Sequence, residues 1–522
     1  MTGAVAAGHP LTAAIGARIL GEGGNAVDAC VAATFAAGVT ESPLTGLGSG
    51  GFVLVHRAGE PSARLADCFV AAPGRGLAKP RGGEMQLVDV GFGEETTQPF
   101  RIGPASCAVP GTAAGLEAAH RRFGRLPWAE VVTPAVELAR GGIELTGPQA
   151  HLHALLDPIL RAAAEGQRIY SRGDGERLAV GDRIVLSDLA NTLELIARRG
   201  AAALYGGEIA RAMVDTVRDG GGELTLDDLA GYTVSWRRPV RVGFRGQTVI
   251  SNPPPSSGGV LIAYGLALLE RLPDAEAGSL EALVALAEVM REQSRVRGGS
   301  FSRDLHRGGL AARLLSDAEL DAAQGRIAAG LAGSRELSSV GGTTHVSAVD
   351  GEGNAASVST STGSGSGVIV PGTGIYLNNM LGESDLVGSR PVPPGRRLTS
   401  MMAPSIILDP RGRPRLVVGS AGSARLRGAI MQIVVNVLAH GFRVHEAIDA
   451  PRVHYDEPQL HCEGGLDSGV VRRLESLGYE VVRWRQRNLF FGGAAAVEVL
   501  PDGDVSAAGD PRRGGAGVVV TA

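Results

Sequence analysis

Residues 341–367 read GGTTHVSAVDGEGNAASVSTSTGSGSG. Two runs within it, HVSAVD and AASVST, alternate with period two and predict paired strands. The turn between them, Asp350 to Asn354, is centred on Glu352. Pairing the strands about that centre sets Thr343 opposite Ser361, and a shift of one residue would bring Thr360 there instead. A threonine hydroxyl is a weak nucleophile unless a base lies beside it. A chain cut before Thr343 would supply one, because the freed α-amino group belongs to the same residue and titrates near neutral pH. Gly341 and Gly342 leave the preceding backbone free to bend toward such an attack. The same spacing also suits an ordinary hydroxyl-rich hairpin, so the pattern alone leaves both readings open.

Outward from this hairpin the texture differs on the two sides. Residues 10–22 read as a helix, with Pro10 at its first position, a stripe of Leu11, Ile15 and Ile19, and Gly23 and Gly24 at its end. Asn25 caps an alanine-rich helix running to about Val39, and Phe52 to Val55 reads as a short buried strand. From about 110 to 300 the pattern is mainly helical. Within it, Leu224 to Tyr232 holds a short helix, and Val240 to Ile250 reads as two strands about an arginine/glycine turn. NPPPSSGG then breaks regular structure. Residues 300–342 are polar and weakly periodic and read as a surface linker. After the hairpin, SIIL and RLVV flank a turn at Asp409 to Gly412, and AIMQIVVNVLAHG forms a helix. Helices, a linker, then strands and a helix suggest a layered α/β protein with central sheets.

Composition narrows the function. The chain has 522 residues, enough for a large core, and a formal net charge of −4 without a long charge run. A nucleic-acid partner therefore has no electrostatic support. Cys30, Cys68, Cys107 and Cys462 lie far apart, so no metal or redox motif forms and all four read as small buried hydrophobes. His151 and His153 lack further ligands, and no metal or cofactor is expected. No apolar run approaches a membrane span, and the N-terminus has no secretory pattern, so a cytoplasmic protein is expected. The segment GLGSGG, Gly46 to Gly51, matches a dinucleotide fingerprint in letters only. A helix precedes it and a strand follows, the reverse of the order a phosphate loop needs. A glycine loop pressed against a site or a neighbouring chain fits better. Ser256 and Ser257 lack a nucleophile-elbow context and read as loop residues. His345 would share the face of Thr343 on a strand, but a structural role is the simpler reading.

Eight ordered segments carry a resemblance: HPLTAAIGARILGEGGNAVDACVAA, GLGSGGFVLV, AVPGTAAGLEAAHRRFGRLPW, PPPSSGGV, TTHVSAVDGEGNA, GSGVIVPGTGIYLNNML, LTSMMAPSIIL and GSAG. Together they resemble the gamma-glutamyltranspeptidase family nearly end to end. The resemblance implies an α/β (α+β) fold of the N-terminal-nucleophile hydrolase type, a four-layer αββα sandwich. It implies self-cleavage into a large subunit, 1–342, and a small one, 343–522, which together form one composite domain. The products would stay together as a heterodimer, with a dimer of heterodimers as a further expectation. Thr343 falls on the family's nucleophile. Ser361 falls on the hydroxyl that hydrogen-bonds it, with Thr360 the alternative. Thr399 and Ser400 fall on the pair that contacts the substrate carboxylate. Gly422 and Ser423 fall on the two oxyanion donors, Ser423 replacing a glycine and so restricting its backbone.

The departures concern substrate. The family's arginine for the γ-glutamyl α-carboxylate is replaced by Phe69, which cannot pair a carboxylate. The asparagine near the α-amino group becomes Thr362 or Gly363. The acid that pairs the amine maps to Glu383, with Met380 in place of a polar neighbour. Arg75 is a candidate replacement charge, although a surface arginine is the plainer reading. The short stretch from Leu381 to Arg397 predicts an open site without a long lid.

The leading expectation is cleavage of a γ-glutamyl or related acyl amide through an acyl-Thr343 intermediate, with transfer to water or an amine. The substrate is thus a small-molecule amide. Alternatives are an amidohydrolase for a non-glutamyl acyl amide, such as an oxamate-like or acyl-side-chain compound, and an inactive binding relative. A nucleotide-dependent oxidoreductase rests only on GLGSGG and fails on its context.

Overall fold

The computed structural model describes residues 3–78, 82–92, 96–329, 342–387, 392–423 and 425–521. Helix α1 is Pro10–Gly21, with proline in the first turn and the His9 ring accepting from the Leu11 N–H at 3.1 Å. Helix α2 is Ala26–Thr40, and Asn25 closes a reciprocal capping box with Asp28 at its start. All residues of α2 are buried. Its alanines let it lie flush between a sheet and the outer helices, where larger side chains would hold it away.

Two sheets form the centre. The larger has seven strands in the order Ala516–Val520, Gly3–Ala7, Gly342–Val349, Ala355–Gly363, Gly50–His56, Arg64–Cys68 and Ser235–Arg237. The second has six, in the order Val505–Gly509, Ala495–Val499, Pro414–Gly419, Ser405–Leu408, Gln247–Ser251 and Val240–Phe244. Side chains on the larger sheet alternate between two cores. Val5, Ala7, Val53 and Val55 join the helices α1 and α2, whereas Ala4, Ala6, Phe52 and Leu54 join the second sheet. That division explains why these strands read as continuous apolar runs rather than alternating ones. Helices α3, Gly258–Leu269, and α4, Arg425–Leu438, cover the outer face of the second sheet. The result is the expected α-β-β-α layering. Both sheets take strands from before and after Thr343, so the two parts share one core.

The hairpin register is the expected one. Thr344 pairs Thr360, His345 pairs Ser359, and the ladder continues to Val349 and Ala355. A bulge between Gly342 and Thr344 shifts Gly342 onto Gly363. The expected linker is a correction. Phe301–Arg307, Leu310–Leu314 and Asp317–Ala329 are helices, and Phe301, Leu305, Leu310, Leu314 and Leu320 are buried in the second core. Ion pairs such as Arg326–Glu292 and Arg271–Asp317 fasten this polar segment to its neighbours. Two of these helices have only 7 and 5 residues, and the third, of 13, buries only Leu320 and Ala323, so no strong period shows in sequence. Residues 330–341 of that stretch lie outside the described residues.

The glycine loop is pressed against other segments of the same chain. A Cβ on Gly48 would strike the Tyr376 carbonyl, and one on Gly51 the Ser359 carbonyl. The four cysteines are free and buried. Among the described residues, no helix is long and apolar enough to cross a membrane.

Candidate functional site

The strand beginning at Gly342 delivers Thr343 to the mouth between the sheets. The Thr343 hydroxyl donates to Ser361 Oγ at 3.4 Å. Ser361 Oγ in turn donates to the Gly342 carbonyl and accepts from the Gly363 N–H at 2.9 Å. One hydroxyl thus lies between the Thr343 hydroxyl and the Gly342 carbonyl. Thr360, the alternative partner, is committed elsewhere, its hydroxyl 2.6 Å from that of Thr45. Thr360 and Ser361 are successive residues of one strand, so their side chains face opposite sides of the sheet, and the bulge between Gly342 and Thr344 leaves the register beyond it unchanged.

Across the cavity, Gly422 has φ +116° and Ser423 has φ +53°. Ser423 is one of two non-glycine residues at positive φ among those described, a conformation a side chain adopts at a cost. The N–H groups of Gly422 and Ser423 donate to no acceptor among the described residues. Both lie just before α4, whose N-terminal dipole adds positive potential. Free N–H groups at a helix start suit a developing oxyanion.

Thr343, Ser361, Gly363, Glu383, Ser400 and Ser423 share a cavity of about 370 Å³ with Phe69, Met380, Leu386, Met401, Met402 and Leu426. Its wall is largely apolar. Phe69 is 1% exposed and stacks on Phe52 with ring centroids 5.7 Å apart. Glu383 is the one carboxylate on the lining. Ser400 Oγ accepts from the Met402 N–H at 3.1 Å. Thr399 and Thr362 are absent from the lining. The Thr399 hydroxyl donates to the Leu386 carbonyl at 2.9 Å, and that of Thr362 to the Pro43 carbonyl at 3.1 Å. Of the two candidates for the asparagine position, Gly363 is the one on the cavity. Arg75 lines a separate cleft with Asp228, Tyr232 and Arg397. Part of the stretch expected to leave the site open, residues 388–391, lies outside the described residues.

The discounted residues have structural partners. His345 is buried between Ser359 and Ser347, at 2.7 and 2.9 Å, and burial pulls its pKa down to about 3, so it is a neutral ring. Gly419 makes room for it, since a Cβ there would strike the imidazole. His153 is a buried ring against Tyr170. Ser256 and Ser257 each donate to the Ser400 carbonyl at 3.0 Å and clamp the segment that carries Met401 and Met402. Among the described residues no cluster of ligand types suits a metal ion.

Several contributors carry no local sequence signal. Asn379 accepts from the Ser364 N–H at 2.9 Å and donates to Ser364 Oγ at 2.7 Å, bracing the loop after Gly363. Arg513, far along the chain, donates to the Thr343 carbonyl at 2.7 Å. Glu41, at the end of α2, accepts from the Thr344 hydroxyl at 2.8 Å. No spacing rule connects positions 41, 344 and 513; only the sheet order brings them together.

Known proteins of similar sequence and shape agree with this architecture. The chain is 33% identical over 535 residues to the acylase ACY 1 proenzyme of Pseudomonas sp. (strain V22), covering 99% of this chain and 94% of that protein. It is equally 33% identical, over 546 residues, to the glutathione hydrolase proenzyme of Pseudomonas aeruginosa, again covering 99% and 94%. The crystal structure of cephalosporin acylase from Bacillus halodurans superimposes with a TM-score of 0.84 at 24% identity, covering 99% of this chain and 95% of that one, and shares the fold. The model of the gamma-glutamyltranspeptidase family matches residues 12–520, and the chain belongs to that family.

Proposed function

We propose that this enzyme cleaves a small acyl amide with Thr343 as its N-terminal nucleophile, after cutting its own chain between Gly342 and Thr343. The observation that carries the reading is the Ser361 hydroxyl held between the Thr343 hydroxyl and the Gly342 carbonyl. In self-cleavage, Thr343 Oγ bonds the Gly342 carbonyl carbon while the Gly342–Thr343 C–N bond breaks. The resulting ester is hydrolysed by water, which leaves a carboxylate on Gly342 and a free amine on Thr343. In turnover, the hydroxyl proton passes to that amine as Oγ bonds the acyl carbon. The amine then gives the proton to the leaving nitrogen. Water or a second amine repeats the steps in reverse, and the Gly422 and Ser423 N–H groups stabilise the oxyanion each time. The two fragments remain one heterodimeric body, because each sheet is built from both; a dimer of such heterodimers is part of the same proposal. The four free buried cysteines suit a reducing compartment, the cytoplasm.

The donor is a γ-glutamyl or related acyl amide. A second reading, an acyl group without the glutamyl α-carboxylate, is favoured by one observation: Phe69 occupies the recognition wall as a buried ring stacked on Phe52. The acylase and glutathione hydrolase relatives, at equal identity, represent these two choices. Intact mass and N-terminal sequencing of the purified protein test the mechanism. Two fragments, the smaller starting at Thr343, are expected; an active chain that stays whole refutes it. A panel of γ-glutamyl and other acyl anilides then decides the donor.

A further inference from the structure

Behind the nucleophile strand lies a second cavity, of about 400 Å³, lined by Gly8, Glu41, Gln149, His153, Arg512 and Arg513 among others. Three buried polar atoms around it have no hydrogen-bond partner: Glu41 Oε1, His153 Nδ1 and Arg513 Nε. Arg513 is fixed in place. Asp510 caps its short helical turn, and a Cβ on Gly493 would strike the Arg513 side chain, so glycine lets the side chain through. The guanidinium ends on the Thr343 carbonyl at 2.7 Å. The carbonyl oxygen and nitrogen of one residue are about 3 Å apart, which places this cation within about 6 Å of the Thr343 nitrogen.

We propose that Arg513 is a positioning residue that keeps the Thr343 α-amine in its neutral, proton-accepting form, with Glu41 as the opposing charge behind the same strand. The inference rests on Thr343 being the N-terminal nucleophile. A like charge at that distance disfavours the ammonium form. Desolvation strengthens the effect, since Thr343 is buried at the strand end. Glu41 counteracts it when ionised. Burial pushes its carboxyl up to about 7, with the Thr344 hydrogen bond and Arg513 pulling the other way, so Glu41 changes charge in the working range.

Other charges face the same strand end. Asp510 and Arg512 flank Arg513 on its own segment, His153 lines the rear cavity, and Arg425 interacts electrostatically with both Arg513 and Glu383. Arg513 is the one of these that touches the nucleophile's own backbone. Glu41 and Asp510 both act on Arg513 electrostatically, but among the described residues no close ion pair joins it to either.

The test is the pH profile of kcat/KM for p-nitrophenyl acetate, a small activated ester that makes no demand on acyl recognition, with Thr343→Ala as the blank. Arg513→Gln is expected to move the acidic limb up by about one pH unit. Glu41→Gln is expected to move it down, and Arg513→Lys to leave it near the wild-type position. A limb that stays put in both neutral variants, or moves the same way in both, overturns the inference. If Arg513→Gln stays uncleaved, Glu41→Gln decides alone, a downward shift supporting and any other result refuting. Failure of both to mature assigns the pair to folding or self-cleavage and also refutes it. If wild-type protein is not cut before Thr343, or Thr343→Ala keeps the ester activity, the underlying reading fails instead.

Discussion

The two walls of the substrate cavity are built in different ways. One wall, Thr343, Ser361 and Ser423 with Gly422 just before it, is mostly backbone: a ladder register, a bulge and a turn at positive φ. The other, Phe69, Met380, Leu386 and Met402, is made of side chains brought from separate segments. Acyl transfer needs a hydroxyl, a base and two N–H donors at fixed positions, and a sheet end with a helix start supplies them whatever the donor. Recognition needs only a shape and a charge, which a few side-chain exchanges can alter. In the proposed mechanism the first wall serves any donor, and the second, built from this chain's own side chains, sets which one is taken.

The comparison breaks most completely at Thr343. Thr343→Ala is expected to remain a single chain without amidase activity, read by gel, intact mass and turnover. A processed or active variant would move the chemistry to another residue. Next in size is Ser361→Ala. Losing the hydroxyl that lies between Thr343 Oγ and the Gly342 carbonyl should slow both maturation and turnover by about 2–4 kcal/mol in the barrier. Thr360→Ala should do less, since that hydroxyl is paired with Thr45 on the helix side of the sheet. If Thr360 is the sensitive position, the backbone wall is wrongly assigned.

The same contrast explains what the sequence revealed. The register about Asp350–Asn354 could be read from the turn and the alternation, and the structure keeps it from Thr344 to Val349. The layers were legible because α1, α2 and the hairpin carry strong local patterns. Residues 301–329 differ from the expected linker because two of their helices are very short and the 13-residue third buries few side chains, although Phe301 and Leu310 are buried. Phe69, Met380, Glu383 and Ser400, singled out in the sequence, line the cavity, whereas the hydroxyls of Thr362 and Thr399 turn to backbone carbonyls. Whether such a hydroxyl faces a cavity or caps a carbonyl depends on backbone turns that single residues do not encode. Arg513 and Glu41 had no sequence signal at all.

On the side-chain wall the expected effect is smaller and opposite in sign. Phe69→Arg introduces a guanidinium beside the cavity that holds Glu383 and Ser400. Wild-type turnover of a γ-glutamyl anilide should be weak and mainly hydrolytic. The variant should raise kcat/KM about tenfold, the value of a charge-assisted pair less the lost stacking on Phe52. A strong wild-type rate that the variant leaves unchanged would mean that another group reads the carboxylate.

The smallest expected effect lies within the backbone wall. Ser423 holds φ +53°, where a side chain costs about 1 kcal/mol relative to glycine. Ser423→Gly relieves that strain and keeps the N–H. It also frees the unfolded chain, which offsets part of the gain. The thermal midpoint should therefore rise by about 1 °C at most in a protein of this size. Turnover should change by less than about twofold if the donor keeps its direction. Gly422 offers the matched control, because at φ +116° it has no tolerant side-chain equivalent. Gly422→Ala should lower both stability and kcat while leaving KM for a good donor near its wild-type value. A Ser423→Gly enzyme that loses activity as Gly422→Ala does would show that the serine side chain itself, which lines the cavity, contacts the acyl donor. Ser423 would then belong to the recognition wall as well as to the catalytic one.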